Sequence, residues 1–190
     1  MESSINMGSV ECTGKFSKVE ARAGGVVGYL YSNIYASVVQ NCANYGNVTI
    51  GGVFDIIYVG GIVSLSKSEA RTSARIRNCI NSGKSHDRGV LTGNVSAGGI
   101  SGKTSKTTVS NCVSHGRITK IKGEEVYLGA ISGYESGTFV SCFWNAGGAM
   151  AGLKWSSSEK EAPGRPIFHR RERHQLHRLC PRRGRYCWWR

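Results

Sequence analysis

Aromatic side chains make up only 9% of these 190 residues, whereas glycine occurs 26 times. Aromatics supply much of the buried area of a conventional core and glycine supplies almost none, so one large globular core is not expected even though the length would allow it. No run of about 18 apolar residues occurs, which leaves no membrane-spanning helix to propose. The first residues lack a cationic stretch followed by an apolar segment, so no secretion signal is visible. No segment carries a helical period with caps, and the seven cysteines include no CxxC pair. That last absence argues against a zinc site of the common spacing.

What the chain does contain is a recurring skeleton. Gly24 to Val48 (GGVVG…QNCANYGNV), Gly60 to Ser85 (GGIVS…RNCINSGKS), Gly98 to Ile118 (GGISG…SNCVSHGRI) and Gly129 to Trp144 (GAISG…SCFW) keep one order: two small residues, a β-branched residue, a variable insert, then a polar residue followed by Cys. The steps Cys42 to Cys79, Cys79 to Cys112 and Cys112 to Cys142 are 37, 33 and 30 residues. Ser4 to Val10 matches the close of such a unit, with Ser4 in the Cys position. The chain thus begins in mid-repeat, and a stacked array needs a cap over its first unit; the expectation is that further repeats or a signal peptide precede Met1 in the ancestral protein.

The glycine pairs predict tight corners, and the β-branched residues beside them predict short strands. Val10 to Ala23 reads as a loop or weak strand leading into the first full unit. An apolar residue recurs three before each Cys, as Val39, Ile76, Val109 and Phe139. That spacing breaks strict alternation and places a bend at the polar residue between, namely Asn41, Asn78, Asn111 and Ser141. Asn tolerates left-handed backbone, and stacked copies bond side chain to side chain, so Asn41, Asn78 and Asn111 are expected to form a buried corner ladder. Cys42, Cys79, Cys112 and Cys142 are expected as a second ladder of small, reduced, inward-facing side chains; disulfides are the competing reading. A further turn follows each Cys, and a short β-prone segment follows that turn in two of the three copies. With about three strands and three corners per unit, one unit cannot bury its own apolar face and must stack on the next. The expected fold is all-β, a short right-handed parallel β-solenoid of about four rungs over residues 1–153, with repeats starting near 24, 60, 98 and 129. Residues 154–190 are expected to be a disordered basic tail.

The pattern GG[IV]xG followed by xNCxNxGxV, most evident in Gly60-Gly61-Ile62-Val63 and Asn78-Cys79-Ile80-Asn81-Ser82-Gly83, resembles the GLUG-type repeats of bacterial and protist surface proteins. The resemblance covers roughly residues 4 to 150, with Ser64, Ala130 and Ser114 as departures. It implies a β-solenoid or β-helix with a surface role, and it supplies no catalytic residues.

Several motifs carry chemistry on paper. Gly98-Gly99-Ile100-Ser101-Gly102-Lys103-Thr104 approaches a phosphate-binding loop but has Ala97 where the first Gly belongs, and no helical pattern follows it. Asp55 and Glu124 each lie five before a small-residue pair; at two rungs apart they would stand near the separation of an inverting glycosidase pair, with solvated loop charges as the plainer reading. Asn47-Val48-Thr49 and Asn94-Val95-Ser96 are glycosylation sequons, meaningful in a eukaryotic secretory pathway. His174, His177, Cys180 and Cys187 match no zinc-finger spacing, so neither a metal nor any other cofactor is expected.

The net charge of +13 is unevenly placed: residues 165–190 hold nine Arg against Glu172 alone, which leaves +5 on the first 164 residues. The composition also shifts there from Gly, Val and Asn to Arg, His, Pro and Trp. Phosphate binding with base stacking on Tyr186, Trp188 and Trp189, attachment to anionic membrane, and out-of-frame translation compete as readings of this segment, the last being favoured. The function expected of the whole is non-enzymatic: a fragment of a surface or secreted repeat protein that adheres to glycans or proteins. A basic nucleic-acid-binding protein acting nonspecifically through its tail, and a β-helix carbohydrate-active enzyme, are the alternatives.

Overall fold

The computed structural model describes residues 1–15, 19–69, 73–87, 92–119, 125–145 and 165–167. Every regular element among them is a β-strand, and every pairing between those strands is parallel. The chain opens with β1 (Ile5–Asn6), β2 (Val10–Lys15) and β3 (Glu20–Gly24), then runs through β4 (Val27–Ser32), β5 (Val38–Gln40), β6 (Ala43–Asn44) and β7 (Val48–Gly60). It continues with β8 (Val63–Ser68), β9 (Ala74–Arg77), β10 (Ile80–Asn81), β11 (Ser85–Asp87) and β12 (Thr92–Gly98). The remaining strands are β13 (Ser101–Ser110), β14 (Val113–Ser114), β15 (Ile118–Thr119), β16 (Val126–Gly129), β17 (Ser132–Val140), β18 (Phe143–Asn145) and β19 (Arg165–Ile167).

Three sheets result. The first is ordered β1-β6-β10-β14-β18-β19; the second β15-β11-β7-β12-β16, with β2 and β3 also on β7; the third β4-β8-β13-β9-β5, with β17 on β13. From β4 onward the chain visits the third, first and second sheets in that order and then begins again. The register follows the sequence skeleton: Ala43 pairs with Ile80, Ile80 with Val113 and Val113 with Phe143, each the residue after a skeleton Cys. Val39, Ile76, Val109 and Phe139 likewise pair in succession.

Two sequence expectations change. The stretch read as a loop or weak strand supplies two strands, β2 and β3, because β7 offers thirteen continuous residues as a template for both. Part of the segment expected to be disordered, Arg165–Ile167, pairs with Phe143–Asn145 as an added edge of the first sheet. The rest of the tail, including His174, His177, Cys180, Cys187, Tyr186, Trp188 and Trp189, lies outside the described residues, as does Glu124.

Burial explains the pairing. One apolar cluster gathers Val39, Ile62, Ile76, Ile100, Val109 and the four skeleton cysteines under the first and third sheets. A second gathers Val48, Ile50, Phe54, Ile57, Val59 and Val95 under the second sheet. The glycine corners join the second sheet to the third. A Cβ at Gly60 would run into the Val63 carbonyl and one at Gly98 into that of Ser101, so the turn closes only without a side chain. The second glycine of each pair has a different reason: a Cβ at Gly25 would meet the Asn44 amide, at Gly61 that of Asn81, and at Gly99 the Ser114 side chain. The glycine pair and the residue two after the Cys are therefore two halves of one packing contact. The third small residue lies where the third sheet crosses the second. A Cβ on Gly102 would stand 2.7 Å from Val59 N, and Ser64 at the equivalent place instead donates its hydroxyl to the Tyr58 carbonyl at 2.7 Å.

Candidate functional site

Cys42, Cys79, Cys112 and Cys142 are free and at most 1% exposed. Each thiol donates to the carbonyl two residues earlier, from Cys42 to Gln40 at 3.1 Å through Cys142 to Val140 at 3.5 Å. Cys112 is pushed well above the ordinary thiol range by its hydrogen bonding with Cys142 and Cys79 and by burial. Side-chain hydrogen bonding with Cys112 favours the thiolates of Cys79 and Cys142, and burial works against them. Exclusion from solvent governs their chemistry in either case, because a reagent must first reach the sulfur.

Asn41, Asn78 and Asn111 have φ of 54°, 52° and 51°, the left-handed corner geometry, and Ser141 follows at 50°. Asn78 Nδ2 donates to Asn41 Oδ1 at 3.2 Å and Asn111 Nδ2 to Asn78 Oδ1 at 3.3 Å. The expectation that this corner is buried is wrong: all three side chains are exposed. The left-handed turn points the side chain outward while the following Cys points in. A buried column lies two residues past the Cys position, where Asn6 Nδ2 donates to Asn44 Oδ1 at 2.7 Å and Asn44 Nδ2 to Asn81 Oδ1 at 2.9 Å. It ends at Ser114, which is too short to continue it.

The remaining candidates separate. Asn47 is half-buried and accepts from Lys84 N at 3.1 Å, whereas Asn94 is exposed on β12. The phosphate-loop candidate is a glycine corner running into a strand: β13 begins at Ser101 with no helix N-terminus to cradle an anion, and Thr104 is fully buried with its hydroxyl 3.3 Å from Ser132 Oγ. Asp55 is exposed on β7. Among the described residues, no group of three or more His, Cys, Asp or Glu side chains converges on a metal position, and no helix is long and apolar enough to cross a membrane.

The surface feature that sequence reasoning missed runs beside the glycine corners. In the second sheet Ala21, Ala23, Ile57, Val59, Val95 and Ala97 face inward. Alternation then puts Arg22, Tyr58, Ser96 and Tyr127, which are in register, on the outer face. In the third sheet Tyr29, Leu65, Lys103 and Tyr134 are in register on the outer face as well. The two rows meet at the seam. The Arg22 guanidinium lies 4.2 Å from the Tyr29 ring centroid, and Lys103 Nζ lies 5.3 Å from that of Tyr58 and 5.1 Å from that of Tyr134. Tyr127 and Tyr134 meet edge to face at 5.1 Å, and Tyr29 stacks on Tyr31 at 5.7 Å. No family model, curated protein or solved structure matches the chain.

Carboxylates border this strip and are tied to it. Glu69 accepts from Tyr31 Oη at 3.2 Å and pairs with Lys67 at 3.1 Å; Glu20 pairs with Arg22 at 2.6 Å; Glu125 accepts from Tyr127 Oη at 3.1 Å. Lys67 therefore holds the Glu69 carboxyl below its usual range, and Glu20 raises the Arg22 guanidinium. Lys103 has no carboxylate within salt-bridge distance among the described residues. Such a strip of exposed rings interleaved with fixed donors and acceptors is suited to holding a ligand. Its signal was in the sequence: Arg22, Tyr58, Ser96 and Tyr127 each stand two before the first residue of a corner pair, and Tyr29, Leu65, Lys103 and Tyr134 five after it.

Proposed function

We propose that the chain is a short right-handed parallel β-solenoid of the GLUG-repeat type. It serves as a non-enzymatic adhesion element of a surface or secreted protein, binding glycans or other proteins along its side. What supports the solenoid is the cyclic visiting order of the three parallel sheets, in which partners stand roughly one sequence repeat apart, as Asn44 with Asn81 and Asn81 with Ser114. Parallel crossovers are right-handed in nearly all proteins, which supplies the hand. The observation that carries the functional reading is the Tyr and cation strip: it crosses successive strands, so each added repeat lengthens a lateral binding face rather than closing a pocket.

The test is binding of the purified chain to immobilised glycans and matrix proteins, with the same oligosaccharides assayed for cleavage. Saturable binding with the oligosaccharides recovered intact is expected. Cleavage, or no binding to either class, refutes the reading.

The nine Arg after residue 164 favour a second activity, nonspecific polyanion binding. Removing residues 168–190 takes away eight Arg and Glu172, a net +7. Engaging about five phosphates gives a log–log salt slope near −4.5 on duplex DNA, which the shortened chain should lose.

A further inference from the structure

We propose that the seam strip is a binding site for an uncharged oligosaccharide laid across the strands, with sugar faces against Tyr29, Tyr31 and Tyr134 and hydroxyls toward Lys103, Glu69 and Glu125. This deepens the adhesion reading and rests on it. The strands carrying Tyr29 and Tyr134 are three steps apart, so at ~4.8 Å per step the strip spans about 14 Å, the reach of a short oligosaccharide. A pyranose ring presents C–H groups on its faces and hydroxyls around its edge. It therefore needs flat apolar surfaces flanked by donors and acceptors, which is how the strip is composed.

Packing does not use up these rings. Tyr58, at 7% exposure, is covered and serves to support Lys103, whereas Tyr29, Tyr31 and Tyr134 keep 39%, 41% and 44% of their surface open. They are already oriented by Arg22, Glu69, Tyr127 and Lys103, so little rotamer freedom is lost when a ligand arrives. Lys103 uses one of its three ammonium donors on Tyr58 Oη at 3.4 Å and keeps others for hydroxyls.

Charge decides between a glycan and a single-stranded nucleic acid, the other ligand that stacks on aromatics. Among the described side chains, Arg22, Lys67, Lys103 and Lys106 face Glu20, Glu69 and Glu125, an excess of one cation. A nucleic-acid track needs a marked cationic excess along the backbone, because phosphate neutralisation supplies most of its affinity. Bordering carboxylates would repel phosphates, but they accept hydrogen bonds from sugar hydroxyls.

The experiment titrates the full chain with cellohexaose, chitohexaose and mannohexaose, with a thymidine 15-mer and polygalacturonate as charged probes. At least one neutral hexasaccharide should bind with little dependence on salt. Replacing Tyr29→Ala or Tyr134→Ala should each weaken it by about tenfold, the scale of one lost ring contact. Lys103→Met should weaken it severalfold, and Tyr45→Ala, at 49% exposure in the turn between the first and second sheets, should leave it unchanged. Urea melts verify that each variant is folded. Hexasaccharide binding that ignores both tyrosine substitutions overturns the strip and leaves the adhesion reading standing. Binding of only the charged probes, lost with salt and dependent on the strip, also overturns the proposal. If no probe binds while the chain still adheres to matrix proteins, the strip alone fails; if neither occurs, both readings fail.

Discussion

Replacing Asn44 by Ala is the perturbation that best separates the two asparagine columns. Asn44 is 0% exposed, and its amide donates to Gly46 O at 2.8 Å and Asn81 Oδ1 at 2.9 Å while its oxygen accepts from Asn6 at 2.7 Å. Truncation leaves the Gly46 carbonyl without that donor in a buried turn, an orphan worth about 1–3 kcal/mol, and removes two further bonds worth about 0.5–1.5 kcal/mol each. Asn81 keeps its Gly83 partner and Asn6 can turn to water, which limits the loss. The expected destabilisation is about 3 kcal/mol. Asn78→Gly is the matched control: its amide bonds are exposed and replaceable by water, and φ of 52° suits glycine, so a loss under about 1 kcal/mol is expected. Urea unfolding followed by far-ultraviolet circular dichroism gives both values. Equal losses, or a larger one at Asn78, would refute the assignment of the buried column as the stabilising one.

Three further outcomes are expected. Gly102→Ala should destabilise by about 2 kcal/mol or more, because its Cβ would stand 2.7 Å from Val59 N on a second strand, whereas Gly28→Ala, whose nearest neighbour is 3.8 Å away, should be neutral or slightly stabilising in the same melts. Mass spectrometry after a brief pulse of a small thiol reagent should find half-buried Cys12 labelled before Cys42, Cys79, Cys112 or Cys142, and Cys79 reacting as fast as Cys12 would contradict the inward row. Proton titration by nuclear magnetic resonance should place the Glu69 midpoint below the ordinary carboxylate range and Lys67→Ala should return it. Since that folded pKa is depressed, the pair's small contribution is present above the unfolded carboxylate pKa and is lost as pH falls through the folded value.

Much of the fold was legible because stacking forces equal residues into equal places. The apolar residue three before the Cys, the left-handed Asn and the glycine corner each recur, so their spacing in sequence becomes their register in the sheets: Val39 pairs with Ile76 and Ile76 with Val109. Less legible was which Asn column is buried. Asn41 and Asn44 are three residues apart and chemically identical, and only the turn between them decides that the first side chain points to solvent and the second inward. The extended reach of β7 was hidden for a similar reason. Its middle, Gly51 to Asp55, belongs to no recurring pattern, yet Gly51 to Val53 pair with Thr13 to Lys15 of β2.

Local chemistry in the sequence determined the strand-rich character, the corners and the period, because glycine, asparagine and β-branched residues restrict the backbone wherever they stand. Those terms act within a few residues of the chain. The tertiary structure alone decided what lies across the seam. Arg22 meets Tyr29, and Lys103 meets Tyr58 and Tyr134, only because a side-chain-free corner lets two sheets approach and alternation turns those positions outward. Whether a residue such as Lys103 serves as a solvated charge or as the centre of a binding strip depends on neighbours up to 45 residues away in the chain, and folding is what brings them within reach.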